Sequence, residues 1–199
     1  MQATIKLKKN KLLWQKVRRY YQISKPPTKI NGLTIDMVKR SGKPPKFRGK
    51  GSETRHMVPL ALELAEEMHT EYECPHTKTV LGMIRHLYAF YMQMGSSNFD
   101  AETAGAHARQ CCILYASLNK EAEEKGLNTL YAMRPKMHLF VEMAEVQSDE
   151  AGDPSLFWTY QDEDFMGFIA EMTSVRGGPR NPSTMTFNTL RRYKGLSSD

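Results

Sequence analysis

"TVLGMIRHLYAFYMQM", residues 79–94, decides the fold. Val80, Leu81, Met83, Ile84, Leu87, Tyr88, Phe90 and Tyr91 leave it almost no polar face. A helix that is apolar all round is normally enclosed by other helices. The stretch therefore predicts the central helix of a bundle, flanked by amphipathic helices that each turn one apolar stripe inward.

The flanking sequence has that character. Residues 57–72 interleave Leu60, Ala61, Leu62, Leu64, Ala65 and Met68 with glutamates. Pro59 fits the first turn of that segment, where its missing N–H costs little. Thr77 or Thr79 is expected to cap the central helix. "GSSNFD" (95–100) breaks it, Asp100 caps a long helix to about residue 125, and Gly126 stops that one. Pro135 opens "KMHLFVEMAEVQ" (136–147), "DEAGDPS" (149–155) breaks again, and another helix begins in "FWTYQDEDFMGFIAEM" (157–172). The run Arg176-Gly177-Gly178-Pro179 ends it, and Ser183 can cap a last helix, "TMTFNTLRRY" (184–193). No stretch alternates like a strand and no sequence repeat is visible. The expectation is an all-α protein, a bundle of about five or six helices, over 53–199.

Residues 1–52 differ in kind. An amphipathic helix over 7–22 is followed by "SKPPTK", whose prolines disfavour helix in the residues before them. A small helix over 33–40 comes next, then the Gly/Pro/Lys-rich linker "SGKPPKFRGKGSE" (41–53). Residues 1–50 hold 15 Lys/Arg and one acid, Asp36, a surplus of +14, while the other 149 residues hold 13 basic and 21 acidic side chains, or −8. The overall +6 thus conceals a basic, partly flexible arm (1–52) on an acidic body (53–199). That split is the usual look of a nucleic-acid-binding or localisation arm.

The arm supplies the main binding candidates. Lys8, Lys9, Lys11, Lys16, Arg18 and Arg19 can neutralise phosphates and release counterions. Trp14, Tyr20 and Tyr21, placed among them, could stack on unpaired bases. The plainer reading has Leu13 and Trp14 packing on the body while the lysines keep the chain soluble. Lys46, Arg48 and Lys50, beside Gly49 and Gly51, form a loop that could touch phosphates, and Arg176, Arg180, Arg191 and Arg192 offer a second basic surface. No groove-reading motif is present, so sequence-specific readout is unsupported.

Several function classes lack their signatures. No apolar run reaches the roughly 18 residues that span a bilayer, and the N-terminus lacks the apolar core and cleavage site of a secretory leader. The three cysteines, Cys74 and the adjacent Cys111 and Cys112, do not make a disulfide framework, so a reducing compartment, nucleus or cytoplasm, is expected. His69, Cys74 and His76 lack the paired spacing of a structural zinc site, and no metal is expected. There is no G-x-S-x-G elbow, and "FRGKGSET" lacks the spacing of a phosphate-binding loop.

The acids of 157–172 invite a catalytic reading. Phe165, Phe168, Ile169 and Met172 fall at i, i+3, i+4 and i+7, one buried stripe. Asp162, Glu163 and Asp164 then occupy a first turn, where carboxylates complement the helix dipole. Metal-dependent chemistry instead needs carboxylates that converge, and consecutive residues splay by about 100° around a helix.

"WTYQDEDFMG" (158–167) is similar to the W-x-Y-x-x-E-x-F-x-G segment of CACTA-type (En/Spm-like) DNA transposase proteins. "PKMHLFVEMAE", with His138 and Glu142, resembles the His-bearing helix upstream in that family, and "RGGPRNPS" (176–183) the basic stretch downstream. The chain also resembles repeated, mobile-element-like open reading frames of large protist genomes in "KPPKFRGKGSETRH", "PKMHLF" and "FWTYQDEDFMGF". The transposase resemblance covers only about residues 130–190. It implies that Glu163 matches the family glutamate, within a frame of Trp158, Tyr160, Phe165 and Gly167; Phe168 is structural by its place in the apolar stripe. Gln161, Asp162 and Asp164 depart from the family pattern. Strand transfer in such proteins requires carboxylates on an RNase H-like sheet, which this sequence does not encode. The resemblance therefore implies a piece that is non-catalytic by itself, with Glu163 and His138 as the candidates for any residual chemistry.

The expectation is a nucleic-acid-associated, transposase-derived helical protein with DNA as its partner and no cofactor. The alternative is a helical protein–protein adaptor, whose acidic body takes a protein partner and whose arm is a localisation signal. A third reading, a metal-dependent nuclease, would require a divalent cation.

Overall fold

The computed structural model describes residues 2–38, 47–127 and 130–157, and the side chains of 2–10 and 35 are not part of that description. The chain divides into two units, Met1–Phe157 and Trp158–Asp199. The second unit lies outside the described residues. So do Lys46, Trp158, Tyr160, Glu163, Phe165, Gly167, Phe168, Arg176, Arg180, Arg191 and Arg192, together with the helix and cap expected beyond residue 157.

The described part is all-α, with no strand among the described residues. Its helices are α1 (Gln2–Ser24), α2 (Ile35–Val38), α3 (Gly51–His56), α4 (Val58–Glu71), α5 (Pro75–Gln93), α6 (Ala101–Glu124), α7 (Pro135–Glu142) and α8 (Ser148–Ala151). A π-helical turn, Met143–Gln147, joins α7 to α8, and a 3₁₀ turn, Pro154–Leu156, follows. None of the described helices is long and apolar enough to cross a membrane.

The central helix is α5, which packs against both α4 and α6. Phe90, 1% exposed, anchors it and meets Phe140 of α7 edge to face at 4.9 Å between ring centroids. Against α6, Val80 and Leu81 of α5 join Ala104, Ala108, Cys111 and Leu118 among the buried residues. Small residues on α6 let its partners come close. A Cβ at Gly105 would stand 2.9 Å from Glu145 Cγ and 3.2 Å from the Ala144 carbonyl oxygen, so only glycine fits under the π turn.

Most local signals act where the residues place them. Asp100 accepts the Thr103 N–H at 2.8 Å and caps α6, Gly126 follows that helix with φ +69°, and Pro135 sits in the first turn of α7. The cap of α5 differs from the expectation. Cys74 occupies it, its sulfur accepting the Thr77 N–H at 3.5 Å, while the Thr77 hydroxyl accepts the Cys74 N–H at 3.2 Å. Pro75 explains the shift, because a proline at the first helical position starts the helix one residue after Cys74. The 136–147 segment also departs from one regular helix. Its second half is the π turn, in which Ala144 is fully buried and Glu145 reaches Arg109 of α6.

The N-terminal segment carries a core of its own. Val17, Tyr21, Ile30, Leu33 and Leu60 are buried together, with Leu13, Trp14, Tyr20, Phe47, Met57 and Leu64 packed around them. Residues on both sides of position 52 thus share one cluster. Part of the expected linker is helical, since Glu53 accepts the Lys50 N–H at 2.8 Å and opens α3.

Candidate nucleic-acid interface

Helix α1 contains no acidic residue. Its inward face is set by Val17, 0% exposed, and Tyr21, with Leu13, Trp14 and Tyr20 at the margins. Hydrogen bonds hold that face in place. The Tyr20 hydroxyl donates to the His56 carbonyl at 2.8 Å, and the Tyr21 hydroxyl donates to Met57 Sδ at 3.3 Å while accepting the Ile30 N–H at 3.1 Å. Lys29 lies over the Tyr21 ring, 5.9 Å from its centroid.

The outward face follows from the same register. Lys11, Gln15, Arg18 and Gln22, at i, i+4, i+7 and i+11, form one exposed stripe, and exposed Arg19 lies beside it. Lys16, at the edge of the stripe, pairs with Glu67 of α4. Among the described residues, no acidic side chain pairs with Lys11, Arg18 or Arg19. Lys8 and Lys9 continue the helix toward its N-terminus.

The structure sorts the other sequence candidates by what they touch. Arg48 donates to the Asp36 carbonyl, and its own N–H bonds the Met37 carbonyl at 2.9 Å, so it braces α2. Lys50 is exposed at the start of α3. His138 is exposed on α7, with Glu142 of the same helix 3.8 Å away. Among the described residues no three His, Cys, Asp or Glu side chains are placed to hold a metal ion. The arm's aromatics, the candidates for base stacking, are engaged in packing. Tyr21 is buried, and Trp14 and Tyr20 pack against the same cluster, because apolar faces gain more from burial than from exposure beside lysines.

Two constellations escaped the sequence reading. At the start of α5, His76 Nδ1 donates to Glu121 at 2.9 Å, and the Tyr131 hydroxyl faces His76 Nε2 at 3.3 Å. Glu121 also pairs with Lys125, which with His76 holds its carboxyl below the usual range. Tyr131 has φ +52°, a left-handed conformation that costs a bulky residue energy. Beside this group, the Thr77 backbone N–H and hydroxyl, with help from the His76 N–H, lower the exposed Cys74 thiol below its ordinary value. Burial pushes Cys111 up to about 12. Pro75 after Cys74 was the one local signal for this arrangement. The second constellation is His86 of α5 and His107 of α6, whose Nδ1 atoms are 3.0 Å apart. One ring donates to the other, and burial followed by the charge of His107 lowers His86. A contact between residues 21 positions apart has no sequence signature.

Two depressions lie among the described residues. One, of about 650 Å³ between α6 and the π turn, is lined by Glu102, Glu145, Asp149, Glu150 and Arg109 over Ala101, Gly105 and Ala106. The other, about 450 Å³, lies where α4, α5 and α6 meet. Comparison of the chain with family models, with curated proteins and with solved structures finds no match.

Proposed function

We propose that this chain is a nucleic-acid-associated helical protein that holds phosphates on the outward face of α1 and performs no chemistry by itself. The observation that carries the reading is the division of α1. Val17 and Tyr21 anchor one face in a core, and Lys11, Arg18 and Arg19 stand exposed on the other without acidic partners among the described residues. Cations held on a docked helix lose less freedom on binding than cations on a loose tail. Because Trp14, Tyr20 and Tyr21 are engaged in packing, the reading favours phosphate-backbone contact, and duplex DNA is the substrate that presents phosphates most densely. The resemblance of 158–167 to CACTA-type transposases supports descent from a mobile element, with Glu163 and His138 as remnants of its site.

The test is a salt series with duplex and single-stranded DNA. Binding should weaken linearly on a log–log plot, by about 0.9 in slope for each phosphate neutralised. Lys11→Glu/Arg18→Glu/Arg19→Glu should lower both affinity and slope. Absence of binding at about 50 mM salt, or a slope near zero, overturns the reading. The same preparation tests the nuclease alternative, which requires Mg²⁺-dependent cleavage that Glu163→Gln abolishes. A specific observation favours the adaptor alternative, since Glu102, Asp149 and Glu150 line the larger cleft and suit a basic protein partner. That reading requires binding of a lysine-rich peptide that Asp149→Lys/Glu150→Lys removes.

A further inference from the structure

The smaller depression points to a ligand by its chemistry. Its floor is Leu81 and Gly82 of α5 with Leu114 of α6, and its rim carries His69 of α4 with Lys78 and Arg85 of α5. Gly82 shapes that floor. A Cβ there would approach Leu114 Cδ1 to 3.2 Å, so glycine keeps the two helices close while leaving a smooth apolar surface. Lys78 and Arg85 are two turns apart on one helix, about 10 Å along its axis. Arg85 donates one N–H to Glu66 at 3.1 Å, and a guanidinium has four more donors to offer. His69 spends Nδ1 on the Thr77 hydroxyl at 2.9 Å. No acidic side chain is among the described residues that line the groove.

We propose that this groove seats one nucleotide, with the planar base on Leu81, Gly82 and Leu114 and the phosphate on Lys78, Arg85 being already paired with Glu66. Its volume of about 450 Å³ falls in the range of small-ligand sites, and an apolar floor with a few cationic groups is the usual composition of such a site. The larger cleft, lined by four carboxylates, repels the same ligand. Position in the fold connects the groove to α1. Glu66 and Glu67, adjacent on α4, hold Arg85 and Lys16, so the groove rim and the basic helix border one stretch of α4. The ligand is either a free mononucleotide or one unit of a strand held by α1, and the second source rests on the nucleic-acid reading above.

The experiment titrates adenosine 5′-monophosphate, adenosine and inorganic phosphate into the full chain by calorimetry. The mononucleotide should bind at least about tenfold more tightly than either half alone, since both parts of the groove are then used. Lys78→Glu should weaken it by about tenfold or more, and Lys120→Glu, an exposed lysine outside the groove, should not. No binding at millimolar mononucleotide, or equal binding by wild type and Lys78→Glu, overturns the proposal. The two readings fail separately. Loss of DNA binding in the triple α1 variant with mononucleotide binding retained leaves the groove standing. DNA binding by a chain that ignores the mononucleotide sinks the groove alone. If a single-stranded oligonucleotide displaces the bound mononucleotide, the strand is the source; if it does not, the free nucleotide is.

Discussion

The two ends of the described unit solve one packing problem with opposite charges. At the N-terminal end, α1 lies against α4 through Val17, Tyr21 and Leu60 and turns Lys11, Arg18 and Arg19 outward. At the other end, the π turn lies against α6 through Ala144 and Gly105, and Glu102 of α6 with Asp149 and Glu150 of α8 line the cleft beside it. Each end carries its charge on a helical face whose reverse is docked, so both charge patterns are held on rigid elements. The closeness of docking differs. Large apolar side chains hold α1, and missing side chains hold the π turn. The basic and the acidic side chains thus lie on separate surfaces.

The most damaging single change should fall at the N-terminal end. Leu60 is 2% exposed in the cluster that docks α1, and Leu60→Ala is expected to cost about 2–5 kcal/mol. Calorimetry should record this as a melting temperature lower by roughly 5–15 °C. DNA affinity should fall with it; unchanged affinity would show that the basic residues work as well undocked, and the contrast between the two ends would lose its meaning. At the acidic end, Gly105→Ala places a methyl group 3.2 Å from the Ala144 carbonyl and 2.9 Å from Glu145 Cγ. A cost of about 1–3 kcal/mol follows from overpacking, with DNA binding left intact. A stability equal to wild type would mean that the π turn yields freely and that close approach is not what holds it.

A smaller effect lies between the two ends. His86 is lowered by burial and by His107, so the unfolded chain takes up this proton at a higher pH than the folded one. The native state then binds fewer protons, and stability falls as pH drops through the ordinary imidazole range near about 6.5. His86→Gln should level that part of the curve. The lowered carboxyls Glu121 and Glu145 lose their contributions only at the lower pH where carboxylates titrate, so the two windows separate. A flat melting temperature between pH 7.5 and about 5.5 in wild type would remove the histidine pair from the account. The mildest test changes no stability. Iodoacetamide at neutral pH should modify Cys74 at least about tenfold faster than Cys111, because one thiol is exposed and lowered and the other buried and raised. Equal rates, read by mass spectrometry, would contradict the capped geometry at the start of α5.

Much of the fold was legible in the sequence. Asp100, Gly126 and Pro135 mark helix ends by short-range means, a side chain bonding a nearby N–H, a left-handed φ, or a missing donor. Apolar periodicity in 57–72 and 79–94 announced α4 and α5. The Cys74 cap was harder to see, since cysteine is seldom read as an N-cap and Thr77 competed for the place. The π turn was invisible, because it answers to Gly105, some 40 positions away. For the candidate interface, the positive charge of the arm was plain, while its placement was not. An amphipathic helix of Lys, Trp and Tyr could expose its aromatics or bury them, and the choice depends on whether a partner such as Leu60 is present.

By itself, then, the sequence determined an all-α chain, the ends of several of its helices, and the separation of +14 in the first 50 residues from −8 in the rest. Those properties are local or additive and do not depend on what lies across the fold. Only the tertiary structure decided that Trp14, Tyr20 and Tyr21 face inward, that Lys16 and Arg85 meet neighbouring glutamates of α4, and that His69, Lys78 and Arg85 rim one groove. Each of these is a relation between helices distant in sequence. Such relations follow from which apolar stripes find each other, because burial of those stripes, and not the charges, supplies the free energy that brings the helices together.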